Sequence, residues 1–181
     1  MLRVTSVLRP LTVCLLSFAS LVYVQAQREQ REPLTGPQQD QIAEAGIDPN
    51  ARVGLYTKFT NEHAVTIGAL GKRTEQGRGR RLDQELQDFT ALVDEIASNL
   101  DEYGDRKADL RKSLKELNEA VPRWQGILKG LPKDPIAQIA LDDATDALAD
   151  LADQTKKLVA EQDAYFKEHK DAEGQDREEP K

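Results

Sequence analysis

A seven-residue apolar repeat runs through the middle of this chain and restricts it to helix packed on helix. Leu82, Leu86, Phe89, Val93, Ile96, Leu100 and Tyr103 recur at alternating steps of four and three. The same phase continues through Lys107, Leu110, Leu114, Leu117, Val121, Trp124, Leu128 and Leu131. Fourteen of these 15 positions are apolar in a chain that is 31% charged, so the stripe is one face of a helix that needs covering. Gly104 and Pro122 interrupt the chemistry of the run without shifting its phase.

Helical patterns flank this region on both sides. Thr35 with Gln38 three residues on, and Pro37 between them, is a capping box opening a short helix that Gly46 closes as a left-handed cap. Asp48-Pro49 opens the next helix, with Asp at the N-cap and Pro at the first helical position. Val53, Tyr56, Thr60, His63, Ile67 and Leu70 form its stripe, widened by Leu55 and Phe59, up to about Arg73. Lys72 to Arg81 holds two glycines and no apolar residue and is predicted to be a loop. After the prolines of the 130–135 turn, Asp134-Pro135 repeats the opening grammar. The last helix then carries Leu141, Ala144, Leu148, Leu151, Thr155, Leu158, Gln162 and Tyr165 in seven-residue phase to about His169.

The fold class that follows is all-α. A break at Gly104 would leave almost no connection, whereas helix–helix links usually take about 2–8 residues. The favoured architecture is therefore an elongated antiparallel bundle, or coiled coil, of three main helices, the central one continuous and kinked near Pro122. At about 1.5 Å per residue the three measure roughly 37, 76 and 54 Å. Such a body leaves part of the seam uncovered in a monomer and favours a homodimer. The alternative is a compact four-helix bundle with a break near Gly104, which closes on itself.

The chain opens with an export leader. Arg3 and Arg9 precede an uncharged apolar run, Leu11 to Val24, ending at Val24-Gln25-Ala26, the layout of a signal peptide cleaved after Ala26. The run has 14 residues, short of the roughly 20 that span a bilayer as a helix. The implied organisation is a signal peptide at 1–26, a flexible lead-in at 27–34, one helical domain at 35–169 and a disordered charged tail at 170–181. Cleavage removes Cys14, so the exported chain has no disulfide to form. It also takes the formal charge from −7 to −9, which disfavours nucleic acid as a partner. The acidic polar faces likewise disfavour action at an anionic membrane surface, leaving membrane contact to the moment of export.

Catalytic, cofactor and metal constellations are not assembled by these residues. Neither His63 nor His169 belongs to a Glu-x-x-His pair, which speaks against a carboxylate-bridged metal site. Asp142, Asp143, Asp146, Asp150 and Asp153 lack the loop and glycine of a calcium site. They are expected to pair across an antiparallel interface with Arg111, Lys112, Lys115 and Arg123. Lys72, Arg73, Arg78, Arg80 and Arg81 form the one concentrated basic patch, a candidate surface for an anionic partner such as an acidic envelope polymer or a lipid headgroup. Lys107, Thr155 and Gln162 are polar intrusions in the seam, which either fix helix register or mark where the seam meets water.

Leu34-Thr35-Gly36-Pro37-Gln38 resembles the LTxxQ motif of small helical periplasmic stress proteins and chaperones. That resemblance implies ATP-independent binding of unfolded clients. It covers five residues, in one copy where that family typically carries two. Three functions fit these residues: an exported, non-enzymatic helical protein acting through protein contacts or self-association; a periplasmic client binder; and an enzyme with a distributed carboxylate site.

Overall fold

The computed structural model describes residues 32–173, and these residues are all-α. The helices are α1 (Gly36–Glu44), α2 (Pro49–Gly71), α3 (Arg78–Asp105), α4 (Arg111–Lys129) and α5 (Gln138–Glu168), followed by a 3₁₀ turn, Lys170–Ala172. The leader at 1–26 and residues 174–181 of the expected tail lie outside the described residues.

Local chemistry sets most of the boundaries. Gln38 Oε1 accepts from the Thr35 amide at 2.8 Å and from its hydroxyl at 2.9 Å, which starts α1. Gly46 takes φ +58°, the left-handed value that ends it. Asp48 Oδ1 accepts from the amides of Asn50 and Ala51, and Pro49 follows at the first helical position, as the sequence predicted. The lead-in is packed where it is described: Leu34 is buried, and the Pro33 carbonyl lies 3.3 Å from His63 Nε2. Ordered structure likewise reaches past 170, because Ala172 is buried against the bundle.

The continuous central helix is corrected. The chain takes the alternative break: α3 ends at Asp105, α4 begins at Arg111, and five residues turn it back. Three side chains and one backbone angle make so short a link possible. Lys107 adopts φ +58°, reversing the chain within one residue. The Gln162 amide, from α5, donates to the Ala108 carbonyl at 2.8 Å and accepts from the Leu110 amide at 2.9 Å. Asn50, from α2, donates to the Asp109 carbonyl at 2.6 Å and accepts from the Ser113 amide at 3.0 Å. The α4 N-terminus is thus capped by another helix, its own N-cap being Leu110. Asp109 adds a further acceptor, for the Arg111 amide at 3.2 Å.

Packing follows from that turn. α2 lies against α3 and α4, and α5 lies against the same two, so α3 and α4 face each other across the core. Arg52 bonds Asn99 and His63 bonds Glu85, which makes α2 and α3 antiparallel. Asn50 meets Ser113 and Asn61 meets Trp124, which makes α2 and α4 parallel. The link 106–110 therefore crosses the end of the bundle on a diagonal, and Ala108 and Leu110 plug that end. The apolar stripe is consumed inside: Leu82, Leu86, Phe89, Val93, Ile96, Leu100, Leu110, Leu114, Leu117, Trp124 and Leu128 are all buried in one core with Phe59, Ile67 and Leu148. Each fully buried leucine stabilises by about 1.5–3 kcal/mol. α4 continues through Pro122, which is exposed, so its missing amide leaves the Asn118 carbonyl to solvent rather than to the core.

Candidate functional site

The basic patch is brought to one end of the bundle, where the α2–α3 and α4–α5 connections meet. It is only partly a loop: α3 starts at Arg78, so Arg78, Arg80 and Arg81 stand on its first turn, with Gly77 at φ +79° as the hinge before it. The two connections are in close contact. A Cβ on Gly71 would lie 2.6 Å from Leu131 Cδ2, and one on Gly79 would lie 2.8 Å from Asp134 Oδ1. A side chain at position 79 would press on the Asp134 carboxylate that Arg78 bonds, a contact the sequence did not disclose.

The five predicted cations divide into two kinds. Arg78 is largely buried and bonds Asp134 Oδ2 at 2.6 Å, so it joins the two connections rather than meeting solvent. Arg73 and Arg81 both pair with Glu75 at the surface. Lys72 and Arg80 are exposed and make no ion pair among the described residues. Two further exposed cations stand at the same end of the bundle, Lys129 closing α4 and Lys133 on the α4–α5 connection. Their separation from the patch by some 50 residues hid them; only the fold brings them together.

Apolar side chains share this end. Ile136 is 58% exposed and Ile139 is 70% exposed, across the turn that enters α5. They stand outside the seven-residue phase of the α5 stripe, which is the signal that could have found them. The other large exposed apolar residues described are Ile47 and Val65.

The remaining candidates are accounted for structurally. His63 lies between two acceptors, its Nδ1 2.8 Å from Glu85 Oε2 and its Nε2 against the Pro33 carbonyl. They line an open groove of about 250 Å³ with Glu62 and Asp88. The expected pairing of the α5 aspartates with α4 is not found: among the described residues Asp153 pairs with Lys156 on its own helix at 3.2 Å, and Asp142 accepts from Gln138. The α4–α5 interface is filled by seam residues instead, and the acidic row faces solvent. Arg111 turns to Asp109 and Glu173, and the Asp109 hydrogen bonds hold its guanidinium further toward the charged form. Among the described residues no His, Cys, Asp and Glu group of metal-binding arrangement occurs, and no helix is long and apolar enough to cross a membrane.

The seam polars have separate fates. Lys107 is exposed in the turn, Gln162 is buried and fully bonded, and Thr155 is buried with its Oγ1 lacking a hydrogen-bond partner. Burial is the largest cause raising both the Tyr56 and the Tyr103 phenols above their ordinary value. No family model, no curated protein and no solved structure matches this chain.

Proposed function

We propose that this chain is an exported, non-enzymatic helical bundle that acts as a monomer by presenting its outer surface to partners. One observation carries the reading: the seam that would otherwise recruit a second copy closes within a single chain, as the burial of both its halves in one core shows. A helix face already buried contributes nothing to association, so recognition falls to the surface. Export rests on the Arg3–Ala26 leader pattern.

N-terminal sequencing of the protein recovered from the exported fraction tests the first half; it should begin at Gln27. Recovery only from the cytosol with Met1 in place overturns the assignment. Affinity capture with the tagged exported chain tests the second half, and a partner displaced by substitutions on the exposed face supports it. Suppression of aggregation of a denatured enzyme would instead favour the client binder. The Leu34-to-Gln38 segment has structural work of its own here, since Leu34 is buried and Gln38 both caps α1 and bonds Glu62 at 3.1 Å.

A further inference from the structure

We infer that the end of the bundle carrying Lys72, Arg80, Lys129 and Lys133 docks on a lipid surface rich in anionic headgroups, with Ile136 and Ile139 entering the headgroup layer. The inference deepens the surface-interaction reading and rests on it.

Charge segregation is the first support. The segments 72–81 and 129–134 hold seven cations and two anions, in a chain with 25 of the former and 32 of the latter. Both anions are already matched, Asp134 by Arg78 and Glu75 by Arg73 and Arg81. Within the two segments that leaves Lys72, Arg80, Lys129 and Lys133 without a carboxylate partner. Placement is the second support. The Arg78–Asp134 bond and the close approach of Gly71 to Leu131 hold the two segments side by side, and the exposed isoleucines stand two and five residues after Asp134.

The isoleucines decide between anionic partners. A soluble polyanion would engage the cations and leave Ile136 and Ile139 in water. A lipid surface engages both, because basic side chains reach phosphates while apolar ones enter the acyl boundary. The acidic row of α5 offsets this only in part. Its first members, Asp142 and Asp143, lie about 5–6 Å along the axis from Ile139, whereas Asp150 lies roughly 16 Å away, about two Debye lengths at physiological salt. An average over the whole chain, which predicts repulsion from anionic lipid, loses this separation.

Vesicle sedimentation of the chain starting at Gln27 tests the docking; the described core, from Leu34 to Leu158, is contained in it. Vesicles of phosphatidylcholine with one third phosphatidylglycerol should bind it, and pure phosphatidylcholine should not. Lys72→Glu, Arg80→Glu and Lys133→Glu together should lower partitioning by about 100-fold, at roughly fivefold or more per cation. Ile136→Asn with Ile139→Asn should lower it by about 10-fold. All five positions are exposed, so melting temperatures should hold and separate lost docking from lost folding. No binding to the anionic vesicles overturns the inference. Unchanged binding by the isoleucine variant also overturns it, by assigning the surface to polyanions at large. Failure here with protein capture intact removes the docking alone; failure of both removes the surface reading.

Discussion

The Phe89 ring meets Trp124 edge-on, with centroids 5.8 Å apart and planes at 88°, although 35 residues separate them. In one straight helix those residues would stand about 52 Å apart. Both side chains are fully buried, so the contact is the centre of a closed core and not a surface encounter. Edge-to-face pairs of this kind contribute about 0.5–1.5 kcal/mol beyond their buried area. The proposed surface recognition follows from that closure, which removes the seam from the surface and leaves the ends and outer faces to act.

Gln162 holds the turn that makes closure possible. Its amide satisfies the Ala108 carbonyl and the Leu110 amide, and both residues are buried. Gln162→Leu leaves two desolvated backbone groups without partners, and should destabilise by about 2–4 kcal/mol in urea unfolding. Helical content before the transition should be unchanged. An effect below about 0.5 kcal/mol would show that water replaces the clamp.

Lys107 is the one described residue other than glycine at positive φ. A Cβ in that region costs about 1–2 kcal/mol, partly offset by the greater unfolded-state freedom of glycine. Lys107→Gly should therefore raise stability by about 0.5–1 kcal/mol. Lys107→Val, β-branched at the same angle, should lower it by at least about 1 kcal/mol. The opposite order of the two variants would contradict a left-handed turn here.

Thr155 is 1% exposed, and its hydroxyl oxygen has no partner. Valine has the same shape without the polar atom. Thr155→Val should raise stability by about 1 kcal/mol, measured by thermal or urea unfolding. A loss of that size would reveal a bonded hydroxyl.

Tyr56 and Tyr103 set an alkaline limit. Burial raises both phenols above their ordinary value of 10.0, with Arg52 opposing the shift at each. The unfolded chain loses these protons near pH 10 while the folded chain retains them. Their contribution is therefore complete below that pH and is lost as pH climbs through the raised folded values. Absorbance titration should show two phenols ionising late, and the urea midpoint should fall above about pH 10. Tyr56→Phe with Tyr103→Phe should flatten that fall.

How far the residues disclosed this structure depends on how local the cause was. The helix starts at Thr35 and Asp48 and the end at Gly46 were legible, because each cap is made by side chains within a few residues. The inward face of α3 and α4 was legible for the same reason, since helical periodicity is a local property. The break was signalled by Lys107, the one polar position of the repeat between Leu82 and Leu131, yet it was masked because Tyr103 and Leu110 stay seven apart and preserve the phase across it. The clamps that allow a five-residue link come from Gln162 and Asn50, each more than 50 residues away in sequence. The candidate surface was half legible: Lys72 and Arg80 stood in a visible cluster, whereas Lys129, Lys133, Ile136 and Ile139 joined it through folding. The outward place of the α5 aspartates was not legible, because charge complementarity between antiparallel neighbours suggests pairing across their interface, and these helices meet through apolar faces.

Closure of the seam within one chain is tested most directly by a distance. Spin labels on Gln84→Cys and Lys129→Cys, in the cysteine-free chain starting at Gln27 and diluted into unlabelled protein, report the separation of α3 and α4 by double electron–electron resonance. Both positions are exposed. The bundle places their backbones across a diagonal of about 14 Å, so the label separation should peak below about 35 Å. A peak near 65–70 Å, the span of about 45 residues of continuous helix, would contradict the account and return the seam to the surface.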